Sequence, residues 1–277
     1  MALNFTPEIW SAMMLESLKK NLVFGQETVV NRDYEGEISE VGDTVHIRSI
    51  SRPTISSYTK GGTLTYETLT DAQRTLLIDQ AKSFSFVVDD IDKAQQPGGT
   101  LEGALKEAVY GLRDVADQYI AALYTGAQAA NAIGTVSVTT AALAYTQLRK
   151  LSVKLDEANV PEEGRFVVVP PWYYGLLLES DLFLRADAST DPGLRNGKVG
   201  TVLNMDVLKS NNAPFVTGDD YAVIAGHPSA LTFAEQILNI EDIRLQTTFG
   251  TAVRGLYVYG AKLVRPDSIA TVVASIT

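Results

Sequence analysis

Residues 100–124 read TLEGALKEAVYGLRDVADQYIAALY and form the clearest helical pattern of the chain. Thr100 can cap a helix, Glu102 lies in its first turn, and Gly126 follows its end. Apolar residues recur at spacings of three and four, namely Leu101, Leu105, Ala108, Val109, Leu112, Val115, Ala116, Tyr119, Ile120 and Leu123. The spacing predicts one amphipathic helix of about 36 Å, long enough to form the backbone of a domain.

Extended segments precede this helix. A turn at Gly42-Asp43 leads into a predicted strand at 45–50, and two further strands are predicted at 75–80 and 84–89. The last of these strands places Phe84, Phe86 and Val88 on one face.

Residues 51–74 are rich in Ser, Thr, Tyr and Gly, and they turn at Lys60-Gly61-Gly62. This composition predicts a long two-stranded hairpin with no evident core face. An isolated hairpin is marginal in water. The residues alone therefore leave two alternatives, a hairpin that lies on a neighbouring subunit and a surface loop packed on its own domain.

The N-terminal residues predict a helix that starts at Thr6-Pro7-Glu8. Trp10 and Met13 make this helix apolar, so it needs a partner, either its own core or another subunit. No secretory signal is expected here, because no basic region followed by an apolar run occurs.

After residue 126 helices and strands are mixed. We predict a linker of small residues at 127–138 and a second amphipathic helix that carries Leu143, Leu148, Leu151 and Leu155. A buried strand at 165–169, a short helix at 172–178 and a polar loop at 181–198 follow. Further strands are predicted at about 200–208, 221–225, 229–235, 251–263 and 269–274. The order of elements predicts an α+β fold with at least two lobes.

Composition excludes several classes of function. The chain has 277 residues, a formal charge of −10 and no cysteine, so disulfides, thiolate zinc sites and cysteine nucleophiles are absent. An acidic chain is not expected to bind the phosphate backbone of nucleic acids through counterion release. The densest basic group, Arg149, Lys150 and Lys154, is predicted to be a solvated helix face. No apolar stretch is long enough to span a membrane.

No catalytic motif is found in the sequence. We predict that His46 and His227 are structural, because neither has a partner spaced as in a catalytic triad. The Gly193–Val199 segment differs from a phosphate loop in its spacing and lacks its Ser or Thr. Asp89, Asp90 and Asp92 could hold a hard cation but fit a solvated strand end better. We therefore predict no catalytic, cofactor or metal site and no enzyme.

Several segments, in order, resemble the major capsid (coat) proteins of tailed bacteriophages. They are TPEIWS at 6–11, VVNRDYEGEI at 29–38, GDTVHI at 42–47, LIDQ at 77–80, FSFVVDDID at 84–92, GKVGTVLNMDVLKSNN at 197–212 and YGAKLVRPD at 259–267. No single segment is specific, but the ordered set covers most of the chain.

The resemblance implies the tailed-phage capsid fold, also called the HK-ninety-seven-type fold. Its parts would be an N-terminal arm at 1–35, a peripheral lobe at 36–139, an axial lobe at 140–250 and C-terminal strands at 251–277 that return to the peripheral lobe. The peripheral lobe would contain an extended β-hairpin loop at 50–75 and a long spine helix at 100–125. In this fold the hairpin lies across the adjacent subunit, which favours the first alternative above. The resemblance and the apolar arm give five expected inter-subunit contacts: Trp10, Met13, Tyr58, Lys60 and Tyr66.

The function implied by the resemblance is that of a structural subunit of an icosahedral viral shell. Such subunits assemble into pentamers and hexamers and enclose double-stranded DNA without sequence-specific binding. Scaffolding, portal and decoration proteins are the expected partners, with no membrane. The expected location is the virion capsid, assembled in the host cytoplasm. The alternative is an encapsulin-type nanocompartment shell that encloses a cargo enzyme.

Two other classes fit the residues less well. A carboxylate-based hydrolase would need convergent polar motifs that are missing from the sequence. A monomeric binding module or a fibre protein would not explain the long hairpin or the single spine helix.

Overall fold

The fold is taken from a computed structural model. It describes residues 23–33, 44–50, 71–89, 100–179, 198–245 and 249–276, together with the isolated positions 55, 57, 60, 61 and 66.

The described residues form three α-helices and twelve β-strands, joined by short turns of 3-10 helix. The helices are α1 (Thr100–Ala122), α2 (Ala141–Glu157) and α3 (Pro171–Leu178). The strands are β1 (Thr44–Ile50), β2 (Asp71–Leu77), β3 (Gln80–Asp89), β4 (Ala132–Ser137), β5 (Arg165–Val169), β6 (Lys198–Val202), β7 (Met205–Lys209), β8 (Phe215–Thr217), β9 (Asp220–Gly226), β10 (Leu231–Arg244), β11 (Gly250–Leu263) and β12 (Ile269–Ser275).

The largest sheet has seven strands in the order β4-β12-β9-β5-β7-β6, with β8 added to β9. Strand β5 is buried along its whole length because both faces of the sheet are covered. Phe166 and Val168 belong to the core that includes α1, whereas Val167 and Val169 belong to the core under α2 and α3. This two-sided burial explains why β5 is a continuous apolar run instead of an alternating one.

Helix α1 packs mainly on a second sheet of three antiparallel strands, β10-β11-β3. Val109, Leu112, Ala116 and Ile120 form the buried stripe of the helix. At 1.5 Å per residue α1 is about 35 Å long, so the long amphipathic helix predicted at 100–124 is confirmed. Val115, predicted to be in the stripe, lies at its margin and is partly exposed.

Strands β1 and β2 form a separate antiparallel ribbon, with Thr44 opposite Leu77 and Ile50 opposite Asp71. This pairing closes the base of the hairpin that the sequence predicts at 50–75. Most residues between 51 and 70 lie outside the described residues.

Some local predictions were wrong. Residues 132–137 are not a linker but strand β4, which pairs in parallel with β12. The stretch predicted as a strand at about 200–208 is two short strands, β6 and β7, in a tight hairpin with Leu203 and Asn204 at positive φ in its turn. The resemblance to phage coat proteins implies two strands in this segment. Leu143 faces outward from the first turn of α2, whereas Leu148, Leu151 and Leu155 are buried. Strand β8 was not predicted, and the acidic residues Asp90 and Asp92 lie outside the described part of the chain.

Strand pairing also bears on the lobes expected from the sequence. Strands β4 and β12 lie in the seven-stranded sheet, although the expected boundaries put both outside the axial lobe. Strand β10, expected in the axial lobe, pairs with β11 in the three-stranded sheet. The parallel pairing of β4 with β12 joins residues that are far apart along the chain. A local sequence pattern therefore could not predict this pairing.

Candidate assembly surfaces

The five residues expected to contact a neighbouring subunit are only partly described. Trp10, Met13 and Tyr58 lie outside the described residues. Lys60 is exposed in a turn with Gly61, whose φ of 84° favours glycine. Tyr66 is 93% exposed, so its ring has little contact within its own subunit.

The base of the hairpin is fixed to the three-stranded sheet. Leu76 and Ile78 are fully buried in a small cluster with Ala234, Val258 and Val264. Lys262 Nζ donates a hydrogen bond of 2.6 Å to the Thr75 carbonyl.

Gly260 of β11 allows a close backbone approach at the same place. A Cβ added there would lie 2.5 Å from the Leu77 carbonyl oxygen and 2.8 Å from Ile78 Cδ1. The hairpin therefore projects from a tightly packed base.

Residues 23–33, which we call the root segment, follow the predicted N-terminal helix and belong to the core. Phe24, Val29 and Val30 are buried in the same cluster as α1. Asn31 forms a parallel bridge with the start of β10, donating to the Leu231 carbonyl at 2.8 Å and accepting from the Phe233 amide at 3.0 Å. The last part of the expected arm at 1–35 is thus held firmly on the body of the subunit.

Asp117 of α1 attaches the root segment to the helix. Its Oδ1 accepts hydrogen bonds from the Val23 and Phe24 amides at 3.1 and 2.8 Å, and its Oδ2 accepts one from Asn212 Nδ2 at 3.1 Å. Burial raises the pKa of this carboxyl above its usual range, although the hydrogen bonds act in the opposite direction.

Arg32 makes a second attachment, to strand β10. Its guanidinium forms a buried ion pair with Glu235 and donates to the Gly25 carbonyl at 2.9 Å. Glu235 also accepts the Tyr257 hydroxyl at 2.5 Å, and Arg32 stacks 5.4 Å from the centroid of the Phe233 ring. Burial and the Glu235 carboxylate raise the pKa of Tyr257 well above its usual value, so this hydroxyl stays protonated and donates.

An open groove of about 670 Å³ lies between α2 and the start of β4. We call it the basic groove, because Arg149, Lys150 and Lys154 line it beside the apolar side chains of Ile133 and Val153. Lys154 pairs with Glu157 at 2.8 Å, whereas Arg149 and Lys150 have no acidic partner among the described residues. The basic group noted in the sequence thus sits beside apolar surface.

The hairpin of β8 and β9 presents the opposite chemistry. Phe215 and Val216 are exposed on β8, and Asp219 and Asp220 follow the turn at Gly218, whose φ is 55°. The Phe215 ring is 61% exposed and packs edge-on against Tyr221, with ring centroids 5.7 Å apart. We call these two apolar and two acidic residues the acidic tip.

His227 caps a short 3-10 turn and accepts the Ser229 amide at 3.2 Å through Nδ1, which fits its predicted structural role. Burial lowers the pKa of His227. His46 lies on β1 opposite Thr75. The part of the chain that the structure describes has no group of three or more metal-ligating side chains and no helix long and apolar enough to cross a membrane.

Sequence reasoning missed both attachments of the root segment. A signal for Asp117 was present, because it lies three residues before Ile120 and four before Ala121, inside the apolar stripe of α1. A carboxylate within such a stripe needs buried donors. Arg32 had no comparable signal, since its partner lies about two hundred residues away along the chain.

Comparison with known proteins identifies the family. A family model described as phage capsid protein matches residues 71–272. A structure from Mycobacterium phage Che8 is 35% identical to this chain, with a TM-score of 0.73, and the match covers 99% of this chain and 98% of that one. No protein in the curated set matches the sequence.

Two more distant structures share the fold. The capsid of cyanophage P-SCSP1u is 18% identical, with a TM-score of 0.72 over 94% of this chain and 90% of that one. An encapsulin complex from Synechococcus elongatus is 10% identical, with a TM-score of 0.58 over 76% of this chain and 79% of that one. The similarity to the encapsulin is the weaker of the two.

Proposed function

Because this chain belongs to the phage capsid protein family, we propose that it acts as a shell subunit by closing with other copies into pentamers and hexamers. Subunits in such rings meet head to tail through two different surfaces, so each ring closes without a free end. The observation that carries the proposal is the β1–β2 ribbon, which forms a two-stranded sheet of its own and is packed on the three-stranded sheet at its base.

The ribbon supports assembly for a physical reason. A two-stranded hairpin is marginal by itself. The described base of this hairpin is fixed by Leu76 and Ile78. Ile55 and Tyr66 beyond the base are almost fully exposed. A neighbouring subunit would cover these side chains and stabilise the hairpin by burying them.

The expected contact residues follow from the same argument. We infer that Lys60 and Tyr66, and with them Tyr58, lie on the adjacent subunit. Trp10 and Met13 would contact a neighbour from the N-terminal helix. The attachment of the root segment to the core supports this arrangement, because the predicted N-terminal helix would then begin from a fixed position on the subunit.

The lobes are proposed with limits adjusted to the sheets. The peripheral lobe would contain α1 and the three-stranded sheet, with the hairpin projecting from it. The axial lobe would contain the seven-stranded sheet with α2 and α3. Strand pairing supports this division, since none of the described strands belongs to both sheets.

The proposed content of the shell is double-stranded DNA, held without sequence-specific binding. A formal charge of −10 supports this proposal, because an acidic shell subunit has no general attraction for the phosphates of the enclosed DNA. Scaffolding, portal and decoration proteins would be further partners, and assembly would take place in the host cytoplasm. The work of the chain would be assembly, not catalysis.

Analysis of the particle content tests this function against the encapsulin alternative. Native particles would be treated with nuclease, opened, and assayed for DNA and for proteins other than shell components. DNA that survives nuclease treatment is the expected result. Particles that contain an enzyme and no protected DNA would support the nanocompartment and contradict DNA packaging.

A further inference from the structure

We propose that the ring closes by insertion of the acidic tip of one copy into the basic groove of the next copy. This contact rests on the proposed ring assembly and specifies which surfaces make it. Each copy carries one tip and one groove, which is what a head-to-tail ring requires.

The groove offers both charge and apolar surface. Arg149 and Lys150 are exposed, and no described acidic side chain neutralises either of them. Val153 is also exposed, one helical turn from Arg149, and Ile133 adds apolar surface from β4. A partner that satisfies this groove needs carboxylates next to apolar side chains.

The acidic tip has this combination. Asp219 and Asp220 have no cationic partner among the described residues, and Phe215 and Val216 expose apolar surface beside them. A tight turn brings the four residues together, because Thr217 pairs directly with Asp220. The tip is narrow, so a groove could receive it.

The tip lies apart from the groove of its own subunit along the sheet. Strand β12 pairs with both regions, Thr271 lying opposite Ala132 and Ser275 opposite Asp220. The backbone positions of Ala132 and Asp220 are therefore separated by about 13 Å along the strands and about 10 Å across them. Neither Asp219 nor Asp220 forms an ion pair with Arg149 or Lys150 among the described residues, so both surfaces are available to a second copy.

The phosphates of enclosed DNA are the other candidate for the groove. Phosphates would satisfy Arg149 and Lys150 but would leave Val153 and Ile133 uncovered. The acidic tip would cover both the basic and the apolar side chains of the groove. A formal charge of −10 also disfavours the binding of phosphate, whereas another copy of the chain carries many carboxylates. The observations therefore favour a second copy.

Disulfide trapping tests the contact directly, because the chain has no cysteine. A variant carrying Val153→Cys and Val216→Cys would be assembled and oxidised with diamide, which takes up the two hydrogens of the thiols as the sulfur–sulfur bond forms. We expect a ladder of covalent oligomers that ends at pentamers and hexamers and collapses with dithiothreitol. Each single cysteine variant, as a control, should give no ladder.

Charge exchange provides a second test that does not depend on disulfide geometry. Lys150→Glu and Asp219→Lys should each raise the concentration needed for assembly roughly tenfold, and the double variant should recover most of the loss. Glu107→Lys, which alters an exposed acid on α1, serves as the control. Light scattering measures assembly, and thermal melting of the free subunits checks that each variant folds.

The outcomes separate this contact from the proposed function. A wild-type chain that never assembles contradicts ring formation itself. If the wild type assembles but the cysteine pair gives no ladder and the charge variants assemble equally well, only the tip-in-groove contact is overturned. Lys150→Glu shells that form normally but retain less DNA would assign the groove to phosphate and also overturn the contact.

Discussion

The buried ion pair between Arg32 and Glu235 should be the main attachment of the root segment to the body of the subunit. The side chains are 8% and 1% exposed, and Glu235 also accepts the Tyr257 hydroxyl. Arg32→Met keeps most of the aliphatic stem but leaves Glu235 buried without its cation. Removing one partner of a buried pair costs about 3–5 kcal/mol in the free energy of unfolding. For a chain of this size that corresponds to a fall in Tm of roughly 10 °C.

Urea unfolding of the free subunit, followed by circular dichroism, measures this effect. Arg254→Met is the matched control, because the Arg254–Glu241 pair also involves β10 but its side chains are 60% and 45% exposed. The control should lose less than about 1 kcal/mol. The combined variant Arg32→Met, Glu235→Leu and Tyr257→Phe should regain much of the stability, since no buried charge or hydroxyl is left unpaired.

Equal losses in Arg32→Met and Arg254→Met would show that the Arg32–Glu235 pair is solvated in solution. The root segment would then be held by Asp117, by the Asn31 backbone bridge and by its apolar side chains. A triple variant less stable than Arg32→Met would also contradict the argument.

Four further predictions concern the hairpin base, α1 and α2. Gly260→Ala should destabilise the subunit by about 1–3 kcal/mol, because the new methyl group would overlap the Leu77 carbonyl. Gly111→Ala should instead stabilise α1 by up to about 1 kcal/mol, because an added Cβ at this position meets open space. Urea unfolding would measure the decrease in stability for Gly260→Ala and the increase for Gly111→Ala. Asp117→Asn should alter the pH dependence of stability. The raised pKa means that the contribution of the wild-type carboxyl is full below about pH 4 and is lost as pH rises through the folded pKa. The stability of the Asn variant relative to wild type should therefore increase as pH rises above about 4, and a difference in urea midpoint that stays constant with pH would contradict this. Leu151→Ala should cost about 2–5 kcal/mol, and Leu143→Ala, at an exposed site, much less; similar losses would mean that α2 is not packed as described.

Local patterns predicted the elements that bury a regular face. The apolar stripe of α1 could be predicted because its buried residues are three or four positions apart. Strand β5 could be predicted because its buried residues follow one another directly. The ordered resemblances to phage coat proteins then gave the fold, and the family match confirms it.

What was missed depends on partners distant along the chain. Strand β4 is short and mostly exposed, and only its pairing with β12 makes it a strand. Strand β10 extends to Arg244, beyond the predicted end at residue 235, because it continues to pair with β11. The basic groove was interpreted as a solvated face, since its apolar floor comes partly from β4.

Assembly of the purified chain would be followed by electron microscopy and by light scattering over a range of concentrations and salt. Closed shells, or rings of five and six copies as intermediates, are the expected result. A species that remains a 30.0 kDa monomer at every concentration would contradict it.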